Sequence, residues 1–561
     1  VAKKEPYPWL KKYPKDIDWH TDIPLKPLHA IMEHARQTYP DRPALHFMGK
    51  TYTFRQVYKR VRRMACGLQQ MGVKKDTKVG LFLPNCPQFI IAYFAVLRIG
   101  GVVVNYNPLY SSHELEHQIN DSGTEIMITL GMKALYPKLP QFLHKTSLRK
   151  IIVSDLPEVL PFPKNMLFAK AKKREIAHWP RDNDHVSFQS LLAKRGIPEA
   201  VEIDPVKDLA VLQYTGGTTG VPKGTMLTHA NLYANTVQTG HWFTGLNEGH
   251  ERVLGVLPLF HVFAMTVVMN ISLLKGCEIT LHPRFDLHGV IKDIEARQIT
   301  LFPGVPTIYA AIINYKKLTN FDLSSLKVCF SGGAPLPHEV KTQFENLTGC
   351  KLIEGYGLSE SSPVASANPL FGENKTGSIG IPIPGTVIEI CDVDDEDNIL
   401  PQGEQGEICL SGPQIMAGYW KNKKESDSVL RNGRLHTGDV GYIDEDGYTF
   451  IVDRLKEMII TGGYNVYPRN IEEVLYTHES IVEAAVLGIE HPKRGQMIKA
   501  YVVKKEGSSL TEAAVRSYLK DRVAGYAVPH KVEFRNELPK SMIGKILKKE
   551  LLSEEMSKLK S

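Results

Sequence analysis

Between residues 52 and 130 apolar runs alternate with amphipathic stretches. KVGLFLPN reads as a buried strand, PQFIIAYFAVLRIG as a helix and GVVVNYNP as a second strand. SSHELEHQINDSG opens like a helix, with Ser112 at its start and Glu114 and Glu116 following, and EIMITL supplies a third strand. This strand–helix–strand–helix–strand order predicts a parallel α/β sheet.

Residues 135–205 are less regular and include a basic segment, FPKNMLFAKAKKRE. A second α/β run spans about 207 to 365, where ERVLGVLPLFH, CEITLHP, ITLFPGVP and LKVCFSGG are apolar and close in Gly or Pro. From 377 the strand runs are separated by Gly, Pro and Asp, which predicts antiparallel hairpins. The acidic DVDDED lacks the glycine and glutamate spacing of a calcium loop and reads as one of those turns. Character shifts again at DRLKEMIITGG, after which helix and strand patterns alternate on a small scale. The expected fold class is α/β. A large N-terminal region of α/β sheets with a β-rich subdomain (1–453) precedes a small mobile α+β C-terminal domain (454–561).

Composition narrows this picture. At 561 residues the chain exceeds one hydrophobic core, and 43% hydrophobic with 23% charged residues is ordinary for a globular protein. A net charge of +7 suits anionic ligands or a loose affinity for anionic membrane surfaces. It is too mild to argue for nucleic acid, and no recognition helix or base-stacking signature accompanies it. Seven cysteines, none in a CxxC pair, indicate neither a disulfide framework nor a zinc site. The N-terminus lacks an apolar signal core, and the most apolar runs are too short to span a bilayer and are broken by Arg98 or Asn270. The expectation is a cytoplasmic protein. Peripheral membrane contact through FPKNMLFAKAKKRE competes there with a solvated loop, the plainer reading.

Four stretches carry chemistry. In YTGGTTGVPKG (Tyr214 to Gly224), Gly216, Gly217 and Gly220 let backbone N–H groups approach an anion. Thr215, Thr218 and Thr219 add hydroxyls and Lys223 a charge. In SGGAPLPHEV and LIEGYGLSESSP, the Gly332-Gly333-Ala334 turn can lie flat against a planar ring. Tyr356, between Gly355 and Gly357, can stack on or frame an adenine, and Glu360 can meet a cation. Asp439 in RLHTGDVGY is a candidate acceptor for a sugar diol, and Arg454 in VDRLKEM a candidate phosphate or ribose donor. Lys545 follows Gly544 in LPKSMIGKILKKEL.

These stretches, in this order, resemble the core motifs of the adenylate-forming superfamily: acyl-CoA synthetases, luciferases and peptide-synthetase adenylation domains. The resemblance spans about residues 28–550, and GYGLSES, DRLKEMIITGGYNVYP and LPKSMIGKILKKEL look most like bacterial long-chain fatty-acid–CoA ligases. It implies ATP and coenzyme A as co-substrates, Mg²⁺ as cofactor and a fatty acid as the group activated. A homodimer is compatible with it. It places Glu354 and Ser359 in the nucleotide site, Ser359 standing where a threonine is usual. Thr215 and Glu360 are then the metal residues, Glu360 and Lys545 catalytic, and His261 a catalytic group beside the acyl carboxylate. Lys456 becomes the pivot of a C-terminal rotation that brings Gly462 and Gly463 to the pantetheine route. Met265 stands where some long-chain members carry an aromatic at a tunnel entrance.

Alternatives stay open at this point. They are a medium-chain or aryl acid–CoA ligase, a kinase-type ATPase (disfavoured because no Gly-Lys-Ser/Thr ends the loop) and a non-catalytic relative.

Overall fold

Four sheets organise the described residues, which are 7–215, 222–395, 398–461, 464–491, 495–541 and 544–560 of a computed structural model. In an eight-stranded sheet, Lys78–Phe82 lies between Val102–Asn105 and Ile126–Leu130 and runs parallel to both. The last two strands are buried at every residue, as expected where helices cover both faces. The helix Pro87–Arg98 starts on proline and is buried as far as Leu97.

The next helix, Ser112–Ser122, is capped by Ser111 and not by Ser112. Ser111 Oγ accepts the Glu114 N–H at 3.3 Å, and Glu114 Oε2 accepts the Ser111 N–H at 2.8 Å. The reciprocal box needs a three-residue spacing to its glutamate, and only Ser111 has it.

A nine-stranded sheet contains Arg252–Gly255, Leu301–Gly304, Val328–Ser331 and Lys351–Gly357 as successive parallel neighbours. Their carboxyl ends set Ser331-Gly332-Gly333 beside Glu354–Gly357, at the edge where open α/β sheets bind ligands. The β-rich part pairs Val387–Cys391, Gly406–Ser411, Arg434–Ile443 and Thr449–Arg454 antiparallel in turn. DVDDED falls at one of its turns, with Asp392 N–H donating to Asn398 O at 2.9 Å; Glu396 and Asp397 lie outside the described residues.

Two segments depart from the simplest pattern. VFAMTVVMN forms a buried π-helix, Ala264–Asn270, that continues as the α-helix Ile271–Leu274. FPKNMLFAKAKKRE is not a plain loop: it contains the helix Lys164–Ala171, with Met166 and Leu167 exposed.

Buried apolar residues from Trp9 to Tyr448 share one core, whereas those from Ile459 onward form two smaller ones. Between them lies a turn at 455–457, where Leu455 N–H donates to Gly438 O at 2.9 Å. The seven cysteines are free and buried. Among the described residues no helix is long and apolar enough to cross a membrane.

Candidate active site

The glycine-rich loop closes a β-hairpin. Strands Leu209–Thr215 and Lys223–Thr228 pair antiparallel, with Tyr214 opposite Gly224 and Thr215 opposite Lys223. Gly216, Gly217, Thr218, Thr219 and Gly220 lie outside the described residues. Thr215 and Lys223 therefore stand at the two feet of the loop. Tyr214 is buried beneath it and braces the hairpin from within, its hydroxyl donating to Asp121.

Lys223 forms an ion pair with Glu425, and its ammonium lies 5.4 Å from the centre of the Tyr419 ring. Tyr419 belongs to the short strand Gly418–Tyr419, which adds to the hairpin, and its hydroxyl donates to Glu360 Oε1 at 2.7 Å. The turn Ser359–Ser361, which Ser359 opens, packs against Lys223–Thr228. Glu360, Tyr419, Lys223 and Glu425 thus form one linked row at the mouth of the loop.

The second element is a shelf made by two parallel strands, with Ser331 opposite Glu354. Gly333 has φ +78°, and Ala334 follows it half-buried. A side chain at Gly355 would strike the Phe330 ring, and one at Gly357 the Pro363 carbonyl, so both positions require glycine. Gly332 sits over Phe263, with room for a Cβ only at 3.3 Å. Glu354 is buried; it accepts the Leu336 N–H at 3.2 Å, and burial pushes its carboxyl up to about 7 against the pull of Arg469.

Beside the shelf, Tyr356 donates to Asp439 Oδ2 at 2.6 Å while Arg454 Nε donates to Oδ1 at 3.1 Å. Asp439 and Arg454 face each other across the strand pair Arg434–Ile443 and Thr449–Arg454. Glu407 fixes the turn before Asp439 by accepting from Gly438 N–H and bonding His436 Nδ1, both at 2.8 Å.

Lys545 arrives from the far end of the chain. Gly544 adopts φ +73° and lies so close to Thr307 that a side chain would collide with its Oγ1. This contact seats the segment on the first turn of the helix Pro306–Ile313, which follows the strand Leu301–Gly304. The Lys545 amine is lowered to about 8, first by the Arg454 charge and then by burial, with Glu457 and Asp439 opposing. His261 is lowered to about 4 by burial and by the Lys545 charge, so it is neutral near pH 7. Its Nδ1 accepts the Phe263 N–H at 3.3 Å, leaving Nε2 to carry the proton.

Lys456 is exposed in the 455–457 turn. Its neighbour Glu457 pairs with Lys548 at 3.0 Å, and Lys548 also reaches Glu472 at 2.8 Å. Asp453, just before Arg454, accepts the N–H groups of Arg454 at 2.7 Å and Arg469 at 3.0 Å, and burial pushes its carboxyl up to about 6. Gly462 and Gly463 lie outside the described residues.

A narrow apolar pocket with about 40 Å³ of free volume opens behind the shelf, lined by Phe243, Val253, Val267, Ile271, Phe302 and Phe330 among others. Phe263, two residues after His261, packs on Phe330 at 5.9 Å, linking the pocket to the histidine. Met265 is buried with its sulfur near Asn105 Nδ2 at 3.5 Å and is not part of the pocket wall.

Tyr419, Glu425, Glu407, Asp453 and Lys548 are absent from the sequence-based set. Asp453 adjoins Arg454 and was within reach of that reasoning; the others become neighbours only in three dimensions.

Comparison with known proteins matches this geometry. The family described as AMP-binding enzyme covers residues 32–420, and its C-terminal domain covers 470–545. A long-chain-fatty-acid–CoA ligase of Bacillus subtilis (strain 168) is 45% identical over 553 residues, covering 98% of each chain. Another, from Salmonella typhimurium, is 41% identical over 562 residues, covering 98% of this chain and 99% of its own. ATP-bound MatB from Rhodopseudomonas palustris superposes with a TM-score of 0.79 at 28% identity, over 94% of this chain and 98% of that one. With the loop, the shelf, the Asp439–Arg454 pair and the returning Lys545 all in place, the chain belongs to the AMP-binding enzymes, the adenylate-forming superfamily.

Proposed function

We propose that the protein is an AMP-forming long-chain fatty-acid–CoA ligase. A carboxylate is a poor acyl donor because it is anionic and resonance-stabilised. In the first step its oxygen attacks the α-phosphorus of ATP, the bond to pyrophosphate breaks, and pyrophosphate leaves with the electron pair. In the second step the thiol of coenzyme A loses its proton and attacks the acyl carbon, expelling AMP.

The observation that carries this reading is the seating of Lys545 by Gly544 against Thr307. It places a cation among Arg454, Asp439 and His261, next to an apolar pocket. Negative charge grows on the transferring phosphoryl group and on the carboxylate oxygen joined to it, and a preorganised cation there is worth most in the transition state. His261, neutral with its proton on Nε2, offers a hydrogen bond to the acyl carboxylate without adding charge. Asp439 takes the ribose hydroxyls, and the glycine shelf with Tyr356 holds the adenine. The apolar pocket receives the alkyl chain.

The oxygen donors of Glu360 and Thr215 suit Mg²⁺, a hard cation that takes few protein ligands and shares the rest with substrate phosphates. Glu360 already accepts a hydrogen bond from Tyr419 on Oε1, which fixes its carboxylate in a turn that packs on the strand Lys223–Thr228. Bound there, the ion would neutralise phosphate charge.

The second step needs the pyrophosphate exit cleared and a thiol route opened. Residues 454–561 form the mobile unit in this reading and turn about Lys456, supported by the change of core at that point. ATP–pyrophosphate exchange across a panel of acids of rising chain length, with aromatic acids included, tests the assignment. Exchange rising steeply with chain length is expected. A preference for aryl or medium-chain acids would replace the long-chain reading with one of those ligases.

A further inference from the structure

On the helix Phe54–Gln70, Arg55, Lys59, Arg62 and Arg63 recur at spacings of four, three and one residues and so share one face. That face forms one wall of a cleft of about 350 Å³, completed by Tyr58, Arg36 from the helix Ala30–Thr38, and Arg195-Gly196. The helix Phe188–Leu192 packs on the same helix through Leu191, which meets Gly67, and this brings Arg195 across.

The charge here is not neutralised from within. Arg55 is held by Asp41, with Nε and a terminal nitrogen 3.0 and 2.9 Å from the two carboxylate oxygens, and the nearby Glu33 is taken by Arg98. Among the described residues no carboxylate pairs with Arg36, Lys59, Arg62, Arg63 or Arg195. Arg62 instead donates to the Gly196 carbonyl at 3.3 Å, and Arg36 leans on Tyr58 with its guanidinium 5.7 Å from the ring centre. Like charges held in a concave surface repel one another and focus a positive potential outward. Folding keeps Arg36, Lys59, Arg62, Arg63 and Arg195 together with no carboxylate among the described residues to neutralise them.

The cleft is separate from the nucleotide site. Its main helix follows Lys50–Thr53, the edge strand of the nine-stranded sheet, whereas the shelf strands lie toward the opposite edge with three strands between Val328–Ser331 and Pro43–Phe47. We propose that this cleft is a second anion site that binds a ligand carrying two or more phosphate groups. Guanidinium forks match phosphate oxygens in pairs, and the number of unpaired cations exceeds what one carboxylate could engage. A free oligophosphate and the two-phosphate headgroup of a cardiolipin both offer this chemistry.

The test uses the full chain with its nucleotide site filled by α,β-methylene-ATP. Inorganic tripolyphosphate is titrated calorimetrically, and flotation is measured on phosphatidylcholine vesicles with and without cardiolipin, against phosphatidylglycerol vesicles of equal charge. The wild type should bind one of these probes. The combined variant Arg62→Gln, Arg63→Gln, Arg195→Gln should bind it about tenfold or more weakly, with ATP–pyrophosphate exchange unchanged. Tripolyphosphate binding identifies a free oligophosphate; flotation that depends on cardiolipin beyond equal-charge phosphatidylglycerol identifies a two-phosphate headgroup. If the triple variant loses its melting transition, the exposed single change Lys59→Glu replaces it, with weaker binding expected. Failure of the wild type to bind either probe, or equal binding by wild type and variant, overturns the proposal. Lost exchange with probe binding intact would count against the ligase reading alone.

Discussion

Arg454 Nε lies 3.1 Å from Asp439 Oδ1, across the last strand pair before the chain turns into its C-terminal cores. Tyr356 holds the other oxygen at 2.6 Å. Each carboxylate oxygen has a second lone pair, so Asp439 can accept ribose hydroxyls without releasing either partner. Asp439→Asn keeps the shape and loses the charge. Adenylation kcat/KM should fall about 10- to 100-fold, the worth of a charge-assisted hydrogen bond, with the melting temperature little changed. Exchange kinetics on the variant measure this; an unaltered KM for ATP would remove Asp439 from the nucleotide site.

Lys545 connects this pair to the pH dependence. Its amine is lowered to about 8, so it carries charge below that pH and loses it above. The kcat/KM of adenylation should therefore be flat on the acid side of pH 8 and decline on the alkaline side, since that ratio reports the free enzyme. Asp439 raises the Lys545 value, so Asp439→Asn should shift the decline to lower pH. Lys545→Ala should abolish the alkaline limb and slow adenylation by about 10²–10³, while thioester formation from supplied acyl-AMP survives. Equal loss in both half-reactions would defeat this division of labour.

Lys456 tests the other half of the cycle. The turn at 455–457 is held by Leu455 N–H to Gly438 O, and by Glu457 N–H to Arg454 O at 3.0 Å. Proline at 456 removes one backbone rotation from the only segment joining the N-terminal core to the C-terminal ones. Lys456→Pro should leave exchange near wild type and stall acyl-CoA formation. Unchanged overall turnover would show that the chain does not pivot here.

The parallel sheets were legible because their strands are short apolar runs ending in Gly or Pro, such as KVGLFLPN and LKVCFSGG. The antiparallel part was legible through its turns. The helix start at Ser112 was legible in SSHELE, whereas its cap, Ser111, is singled out only by the three-residue spacing to Glu114. The π-helix at Ala264–Asn270 had no sequence signal: a run apolar on every side shows no phase from which to read its period. The row at the loop mouth escaped for a different reason. Lys223 meets Glu425 202 residues away, through a two-residue strand too short to show any periodicity. Motif chemistry named the feet of the loop, and only the folded sheet could name what restrains them.

That restraint has a consequence for product release. Glu425 lies in the first turn of the helix Lys423–Val429, its N–H bonded to Asn422 Oδ1 at 3.2 Å, so its carboxylate is set against Lys223. In the proposed reaction the pair would partly cancel the lysine charge offered to departing pyrophosphate. Glu425→Gln keeps the cap and frees the charge. Pyrophosphate should then inhibit more strongly, by on the order of tenfold, and steady-state turnover should drop with its release. Weaker inhibition in the variant would mean that Glu425 positions the lysine for binding instead of tempering it.

If the alkyl chain enters the pocket behind the shelf, as proposed, chain-length selection depends on its lining. Val267 is 3% exposed on the π-helix and lines that pocket opposite Phe302 and Phe330. A phenylalanine there occupies space that the distal methylenes of an acyl chain would fill. Each buried methylene contributes about 0.8 kcal/mol, or about fourfold in kcat/KM. Val267→Phe should therefore shift the optimum to shorter acids and flatten the rise with length, with the KM for ATP unaffected. Overpacking costs about 1–3 kcal/mol of stability, so the comparison is made below the variant's own melting transition, with Val267→Ala as the enlarging counterpart. Both variants are assayed across the same panel of acids. If their length profiles match the wild type's, the alkyl chain runs elsewhere, and the apolar lining of this pocket is packing alone.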